Sequence, residues 1–283
     1  MFLEAAVKPS PTNFVGAALF WNRLLVPFLC GFQIVAWIGF RIFHLACEFG
    51  NCLMGHNVVV LAAHPDDEVL GIGGTIARHS ELGDKVHVVI AAEGITSRDP
   101  KRDHRLRKTE LDQLRRTTEL AATELGVTSI RFLGFPDNRC DSVDRLEIIK
   151  AVEEVVAEFL PEDVYVHHAG DVNIDHRRLH EAAFTACRPQ PGHPVRRLMS
   201  FETVSSTEWS PPGSLPAFQP SMFVDISRFW KQKLAALKIY EQEMKTWPHA
   251  RSIEAIEHLA RWRGASAGLE MAEAFVLLRE IAK

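Results

Sequence analysis

In the run VVVLAAHPDDEVLGIGG (residues 58–74), a histidine and three carboxylates follow directly on a stretch of β-branched and small apolar residues. His64, Asp66, Asp67 and Glu68 are groups that bind metal ions or move protons. The apolar stretch before them has the length and composition of a buried strand. His64 and Asp67 stand three apart in an irregular strand-to-helix turn, so both side chains can point at one ion. An imidazole and a carboxylate together suit a borderline cation such as zinc. Two protein ligands are too few, and a third is expected from another strand end. The glycines of GIGG (71–74) lack the third glycine of a phosphate-cradling fingerprint and instead suit close helix–sheet packing. A helix cap would account for Asp66 or Asp67 singly, but not for the whole group.

A second run, VYVHHAGDVNIDHRRLHEAA (164–183), offers His167, His168, Asp171, Asp175, His176 and His180. His176 and His180 are i,i+4 on one helix face, a spacing that can bind zinc. On its own His180 reads as a packed helix residue rather than a ligand. His79 and His87 have no partners in either run and read as surface residues.

The elements that would carry these groups alternate between the two periods. Strands are expected at 57–63, 84–94, 129–135, 162–170 and 196–204, with helices between them at 68–83, 107–126, 142–160 and 175–189. The helix from 142 reads as opened by a serine cap, and that from 175 as stopped by a proline. Such alternation predicts an α/β fold with a mostly parallel sheet, helices on both faces, and ligand groups at the carboxyl ends of the strands. Past residue 205 a Pro/Ser-rich loop, SSTEWSPPGSLPAFQP, is long enough to be functional. Two or three C-terminal helices are expected over 228–245, 250–263 and 266–282.

Composition narrows the function classes. The 283 residues are 47% apolar and 24% charged, with a net charge of -4, which opposes a general nucleic-acid footprint. The basic run PKRDHRLRKTELDQLRR (100–116) reads first as a solvated helix face and second as a contact for an anionic substrate. Five cysteines without a CxxC pair fit neither a disulfide framework nor a thiolate zinc site, and suggest a reducing, cytoplasmic setting. Residues 1–54 read as a hydrophobic extension ahead of a domain at 55–283. Their uncharged stretch 24–40 is open to three readings: a membrane anchor, an interfacial or partner-binding helix, or an artefact of the start site, since Met54 precedes the first strand. Homo-oligomerisation stays open.

The sequence AAHPDDEVLGIGG (62–74) resembles the signature of the LmbE-like/PIG-L family of zinc-dependent N-acetylglucosaminyl deacetylases, and GDVNIDHRRLHEA (170–182) is similar to that family's downstream histidine motif. The resemblance spans residues 57 to about 282. It implies a Rossmann-like α/β fold and hydrolysis of an acetamide on an amino sugar, either small or linked to a nucleotide or lipid. It implies His64, Asp67 and His176 as zinc ligands with an open position for water, Asp66 as general base, and Asp175 as a residue orienting the cluster. Iron(II) would suit the same donors. Arg116 resembles an arginine that contacts sugar or phosphate groups, and Asp137 a carboxylate that accepts from sugar hydroxyls. As bland readings, Arg116 is a surface ion-pair residue and Asp137 a turn former. Arg251, Arg261 and Arg263 either meet a phosphate or are solvated.

One departure is visible. Many family members carry a second histidine three residues before the ligand histidine, and here that position is Asn173. An amide donates a hydrogen bond but is no acid at neutral pH. His167 or His168 would replace it at the substrate, or Asp66 would handle both proton transfers. The leading expectation is therefore a metal-dependent N-deacetylase. The alternatives are an esterase or other amidase using the same metal, and a noncatalytic sugar- or nucleotide-binding module.

Overall fold

In the computed structural model, which describes residues 55–282, successive side chains of the first strand face opposite layers. From β1 (Asn57–Ala62), Val58, Val60 and Ala62 enter one apolar layer, while Val59 and Leu61 enter another. A strand apolar on both faces belongs in the middle of a covered parallel sheet. There β1 pairs in parallel with β2 (Lys85–Ala92) on one side and β4 (Asp163–His167) on the other.

The seven strands run in the order β3-β2-β1-β4-β5-β7-β6. With β3 (Ser129–Phe135) and β5 (Arg197–Phe201), five strands are parallel. β7 (Ala272–Glu280) and β6 (Met222–Asp225) continue the sheet antiparallel at one edge. Helices α1 (Asp67–Glu81), α5 (Trp230–Ile239) and α6 (Ile253–Ala267) cover one face. α3 (Arg145–Phe159) and α4 (Ile174–Ala186) cover the other, and α2 (Lys108–Glu124) packs against α5. The expected α/β class with helices on both faces is what the chain adopts.

Three local expectations are corrected. The segment expected as a third C-terminal helix, 266–282, is mostly β7. Its composition suits a helix, but two strand partners and a buried inner face override that weak preference. Asp144, not Ser142, caps α3, its carboxylate accepting from the amide of Leu146 at 2.8 Å. His79 and His87 are buried rather than superficial. His79 is held between Asp84 (2.6 Å) and the Tyr165 hydroxyl (3.0 Å), and His87 stacks on Phe159 with ring centroids 4.1 Å apart.

Two glycines of GIGG show why that run is glycine-rich. A Cβ on Gly71 would come within 2.4 Å of the Phe201 ring, and one on Gly74 within 2.7 Å of Ile226. The helix therefore lies on the sheet at a distance only glycine permits. Residues 24–40 and Cys30, Cys47 and Cys52 lie outside the described residues; among those described, no helix is long and apolar enough to cross a membrane.

Candidate metal centre and active site

The parallel order reverses direction between β1 and β4, and the carboxyl ends of these two neighbouring strands are where an open α/β sheet presents ligand groups. β1 ends into His64 and the turn that opens α1. β4 ends at His167, and the following loop delivers Asp171, Asp175 and His176 at the start of α4.

The turn after β1 is closed by its own acids. Asp67 Oδ2 accepts from the His64 amide at 2.8 Å, and Glu68 Oε2 accepts from the Asp66 amide at 3.0 Å. Glu68 Oε1 accepts from the Tyr240 hydroxyl at 2.7 Å, and burial pushes its pKa up to about 7. Asp66 precedes α1, but its side chain makes no capping bond, so the capping interpretation does not hold for it. Its φ of 108° lies in a region that non-glycine residues rarely adopt, a cost of about 1–3 kcal/mol that surrounding structure must hold.

Three donor atoms converge. His64 Nδ1 and Asp67 Oδ2 are 3.2 Å apart, His176 Nε2 and Asp67 Oδ2 3.2 Å, and His176 Nε2 and His64 Nδ1 3.4 Å. Metal–ligand bonds of about 2.0–2.1 Å in a tetrahedron put the ligands about 3.3–3.4 Å apart. The triangle already has nearly that size. Asp67 Oδ1 is buried with no hydrogen-bond partner among the described residues, which a cation would relieve. The donor set therefore fits a divalent ion.

The neighbouring groups back these donors. Asp175 Oδ2 lies 3.0 Å from His64 Nε2, and the Asp175 carboxylate also accepts from the amides of Asn138 (2.6 Å) and Cys140 (2.9 Å). Asp137 Oδ1 is 3.4 Å from His64 Nε2, while Oδ2 accepts from the Ser97 amide at 2.9 Å. His64, Asp137 and Asp175 form a second possible donor group. Both its carboxylates accept from backbone amides, as Asp67 Oδ2 does from His64, but Asp67 alone of the three keeps an oxygen, Oδ1, without a partner among the described residues.

Charge follows this layout. Burial opposes a charged His64, but hydrogen bonds to Asp175 and Asp67 outweigh it and raise its pKa well above the usual imidazole value. Burial is likewise outweighed at His176, raised to about 9 by Asp67 and Asp171. Burial would raise the Asp67 pKa, yet His176 and His167 hold it well below the carboxylate range. Asp66 goes the other way: burial pushes it well above its ordinary value despite the opposing guanidinium of Arg251.

His167 and His168 behave differently from the expectation placed on them. His167 Nε2 accepts from the Ala63 amide at 2.9 Å, so that nitrogen carries no proton, and Nδ1 faces the Thr203 hydroxyl at 3.1 Å. Burial and the neighbouring His176 hold its pKa down at about 4. With both nitrogens committed, His167 is no proton donor to a substrate. His168 is held outside the triangle's contacts, its Nε2 donating to the Pro216 carbonyl at 2.9 Å beside Phe218 and its buried Nδ1 without a partner among the described residues. Asn173 caps α4 by accepting from the Asp175 amide at 2.8 Å, and its amide group donates to Asn138 Oδ1 at 2.9 Å. His180 is packed, with Nδ1 on the His167 carbonyl. Arg116 is exposed on α2 beside Asp112, Gln113 and Leu120, and the structure does not bring it to the cluster.

Arg251 and Asp171 stand among the sequence candidates, but the sequence did not show which site residues they meet. Arg251 Nη1 lies 2.7 Å from Asp66 Oδ2, and its Nε donates to Ser205 Oγ at 2.6 Å. Asp171 faces His176 Nδ1 at 3.0 Å. Arg261 and Arg263 make ordinary ion pairs with Glu257 and Glu202.

Comparison with known proteins matches residues 59–187 to the family model of GlcNAc-PI de-N-acetylase (PIG-L). The chain is 31% identical over 261 residues to a 1D-myo-inositol 2-acetamido-2-deoxy-alpha-D-glucopyranoside deacetylase of Saccharomonospora viridis, covering 77% of this chain and 93% of that one. It is 26% identical over 219 residues to 4-oxalmesaconate hydratase of Pseudomonas putida, covering 72% and 83%. Among solved structures, N,N'-diacetylchitobiose deacetylase of Pyrococcus horikoshii shares the fold, with a TM-score of 0.62 at 21% identity over 79% of this chain and 84% of that one.

Proposed function

This chain belongs to the PIG-L family, and on that premise we propose that it is a metal-dependent hydrolase that removes the N-acetyl group of an amino-sugar conjugate. The observation that carries the proposal is the triangle of His64, Asp67 and His176 with Asp66 beside it and no ligand role for Asp66. A zinc or iron(II) ion held by those three donors would supply Lewis acidity toward a carbonyl and toward water.

The chain's own groups account for the proton traffic. Asp66 Oδ2 is engaged by Arg251, and among the described residues no donor reaches Oδ1. That oxygen takes the proton from the attacking water and returns it to the departing amine, so that amide plus water gives amine plus acetate. Burial raises the Asp66 pKa and favours the return step, while Arg251 favours the ionised form that begins the cycle. Since both nitrogens of His167 are committed and His168 faces Pro216, Asp66 serves as both base and acid. Asp175 orients His64. Asp137, 3.4 Å from His64 Nε2, and Asn173, bonded to Asn138 beside Asp175, receive sugar hydroxyls, and Arg116 serves an outlying anionic part of the conjugate. The conjugate is small, nucleotide-linked or lipid-linked.

The test is acetate release from a panel of N-acetylamino sugar conjugates, set against acetyl esters, before and after chelation and zinc repletion. Acetate from the N-acetyl substrates alone, lost on chelation and restored by zinc, is the expected result. Turnover of esters alone would move the assignment to an esterase. Ligand binding indifferent to chelation, with no acetate from any substrate, would leave a binding module. The Pseudomonas putida relative supports one further reading, addition of water to a substrate without loss of acetate, for which a chelator-sensitive hydration of an unsaturated acid, and no acetate from the panel, is the expected result.

A further inference from the structure

The segment that leaves β5, Thr203-Val204-Ser205-Ser206-Thr207, places four hydroxyls on the groups behind the candidate site. Thr203 Oγ1 meets His167 Nδ1 at 3.1 Å, and Ser205 Oγ accepts from Arg251 Nε at 2.6 Å. Ser206 Oγ donates to Asp171 Oδ1, and Thr207 Oγ1 donates to Asp171 Oδ2 at 2.7 Å.

The direction of the Thr207 bond is fixed. Thr207 Oγ1 already accepts from the Thr203 amide at 2.8 Å, so its single hydrogen goes to Asp171. Thr203, Ser206 and Thr207 are buried. Ser205 sits at φ 63°, a left-handed conformation uncommon for serine. Glu208 holds it there, accepting from the amides of Ser205 (2.6 Å) and Ser206 (3.2 Å).

Two chains of contacts leave this one segment. Through Asp171 it reaches His176, whose Nδ1 lies 3.0 Å from Asp171 Oδ2 as an ion-pair contact without hydrogen-bond alignment. A proton on Nδ1 leaves the Nε2 lone pair facing Asp67 and His64. Through Arg251 the segment reaches the carboxylate of Asp66. We propose that Thr203–Thr207 is a positioning element that sets the metal-donor half of the site and the proton-moving half against each other. The inference rests on the reading of His64, Asp67 and His176 as metal donors. None of the four hydroxyls bonds to a donor of the triangle, so each acts through another group.

The experiment is a cobalt(II) titration of the metal-stripped full chain, followed by visible absorption and by competition with a chelating dye. The double variant Ser206→Ala/Thr207→Val should bind cobalt about 10–100-fold more weakly, the range for lost partners behind a metal ligand. Thr207→Ser, which keeps the hydroxyl, should bind as the wild type does. Ser205→Ala should keep cobalt affinity and lower kcat with little change in KM, because its chain of contacts ends at Asp66. Should the double variant fail to fold, Thr207→Val alone removes one donor at constant shape and carries the same expectation. Cobalt affinity within twofold of wild type in the valine variants would overturn the inference. No cobalt binding by the wild type would instead overturn the metal reading, and the His176 arm with it.

Discussion

Asp66 Oδ2 and Arg251 Nη1 lie 2.7 Å apart although 185 residues separate them in the chain. The loop before α6 thus supplies the counter-ion of a carboxylate at the end of β1. A buried carboxylate with one oxygen fixed and one free is suited to shuttle a proton, and it holds no place among the three converging donors. Asp66→Asn should therefore retain metal while losing about 10²–10⁴-fold in turnover, the usual range for a general acid or base. Metal analysis and acetate release on the same sample check this. Wild-type turnover in the variant would remove Asp66 from the mechanism.

The donor triangle makes a separate claim about which atoms hold the ion. His176→Ala should abolish the roughly one metal per chain that a three-ligand site holds. Asp137→Asn should leave metal content near wild type, since Asp137 belongs only to the second donor group around His64. The reverse pattern, metal kept in the His176 variant and lost in the Asp137 variant, would place the ion on the Asp175 side of His64.

His87 gives a pH dependence away from the site. Burial, opposed by Glu158 and aided by Lys85, lowers its pKa from the usual 6.5, and its ring stacks on Phe159. The unfolded chain then binds the proton more readily, so this contribution is fully present above pH 6.5 and is lost as pH falls through the lower native value. Urea denaturation at pH 8 and pH 5 should show the wild type losing stability relative to His87→Gln as the solution is acidified. A stability difference that does not change with pH would show that His87 titrates alike in both states.

Much of this arrangement could be read locally. The span of β3 and the strand-to-helix turn at His64–Glu68 follow from apolar runs and their punctuation. The convergence of His64 and Asp67 was legible because a strand end in a parallel sheet gathers residues that a short motif marks, whereas His176 was singled out among six candidates only by the family resemblance. What escaped was set by distant partners. MAEAFVLLRE (271–280) is rich in helix formers, and only pairing with β5 and β6 makes it a strand. His79 is buried because Asp84 and Tyr165 satisfy both its nitrogens. Arg251 and the hydroxyls of 205–207 reach the site across long loops that no periodicity announces.

The misread strand also carries a buried charge with a strong consequence for α1. Glu273 accepts from the amides of Gly74 (2.9 Å) and Thr75 (2.7 Å) and from Lys233 Nζ at 2.6 Å, while Lys233 also donates to the Leu70 carbonyl at 3.0 Å. The pair thus bonds to the backbone of Leu70, Gly74 and Thr75, all within the helix that begins at Asp67. Removing one member of a buried pair costs about 3–5 kcal/mol. The two members should not cost the same. Lys233→Met leaves a carboxylate that two amides still stabilise, and belongs at the lower end. Glu273→Leu strands the ammonium and takes a charged acceptor from two amides, and belongs at the upper end. The double variant should be less damaging than the sum of the singles, because no unpaired charge remains. Urea denaturation of the three variants and the wild type measures the cycle. Equal single costs with strict additivity would show that the pair does not act as one unit.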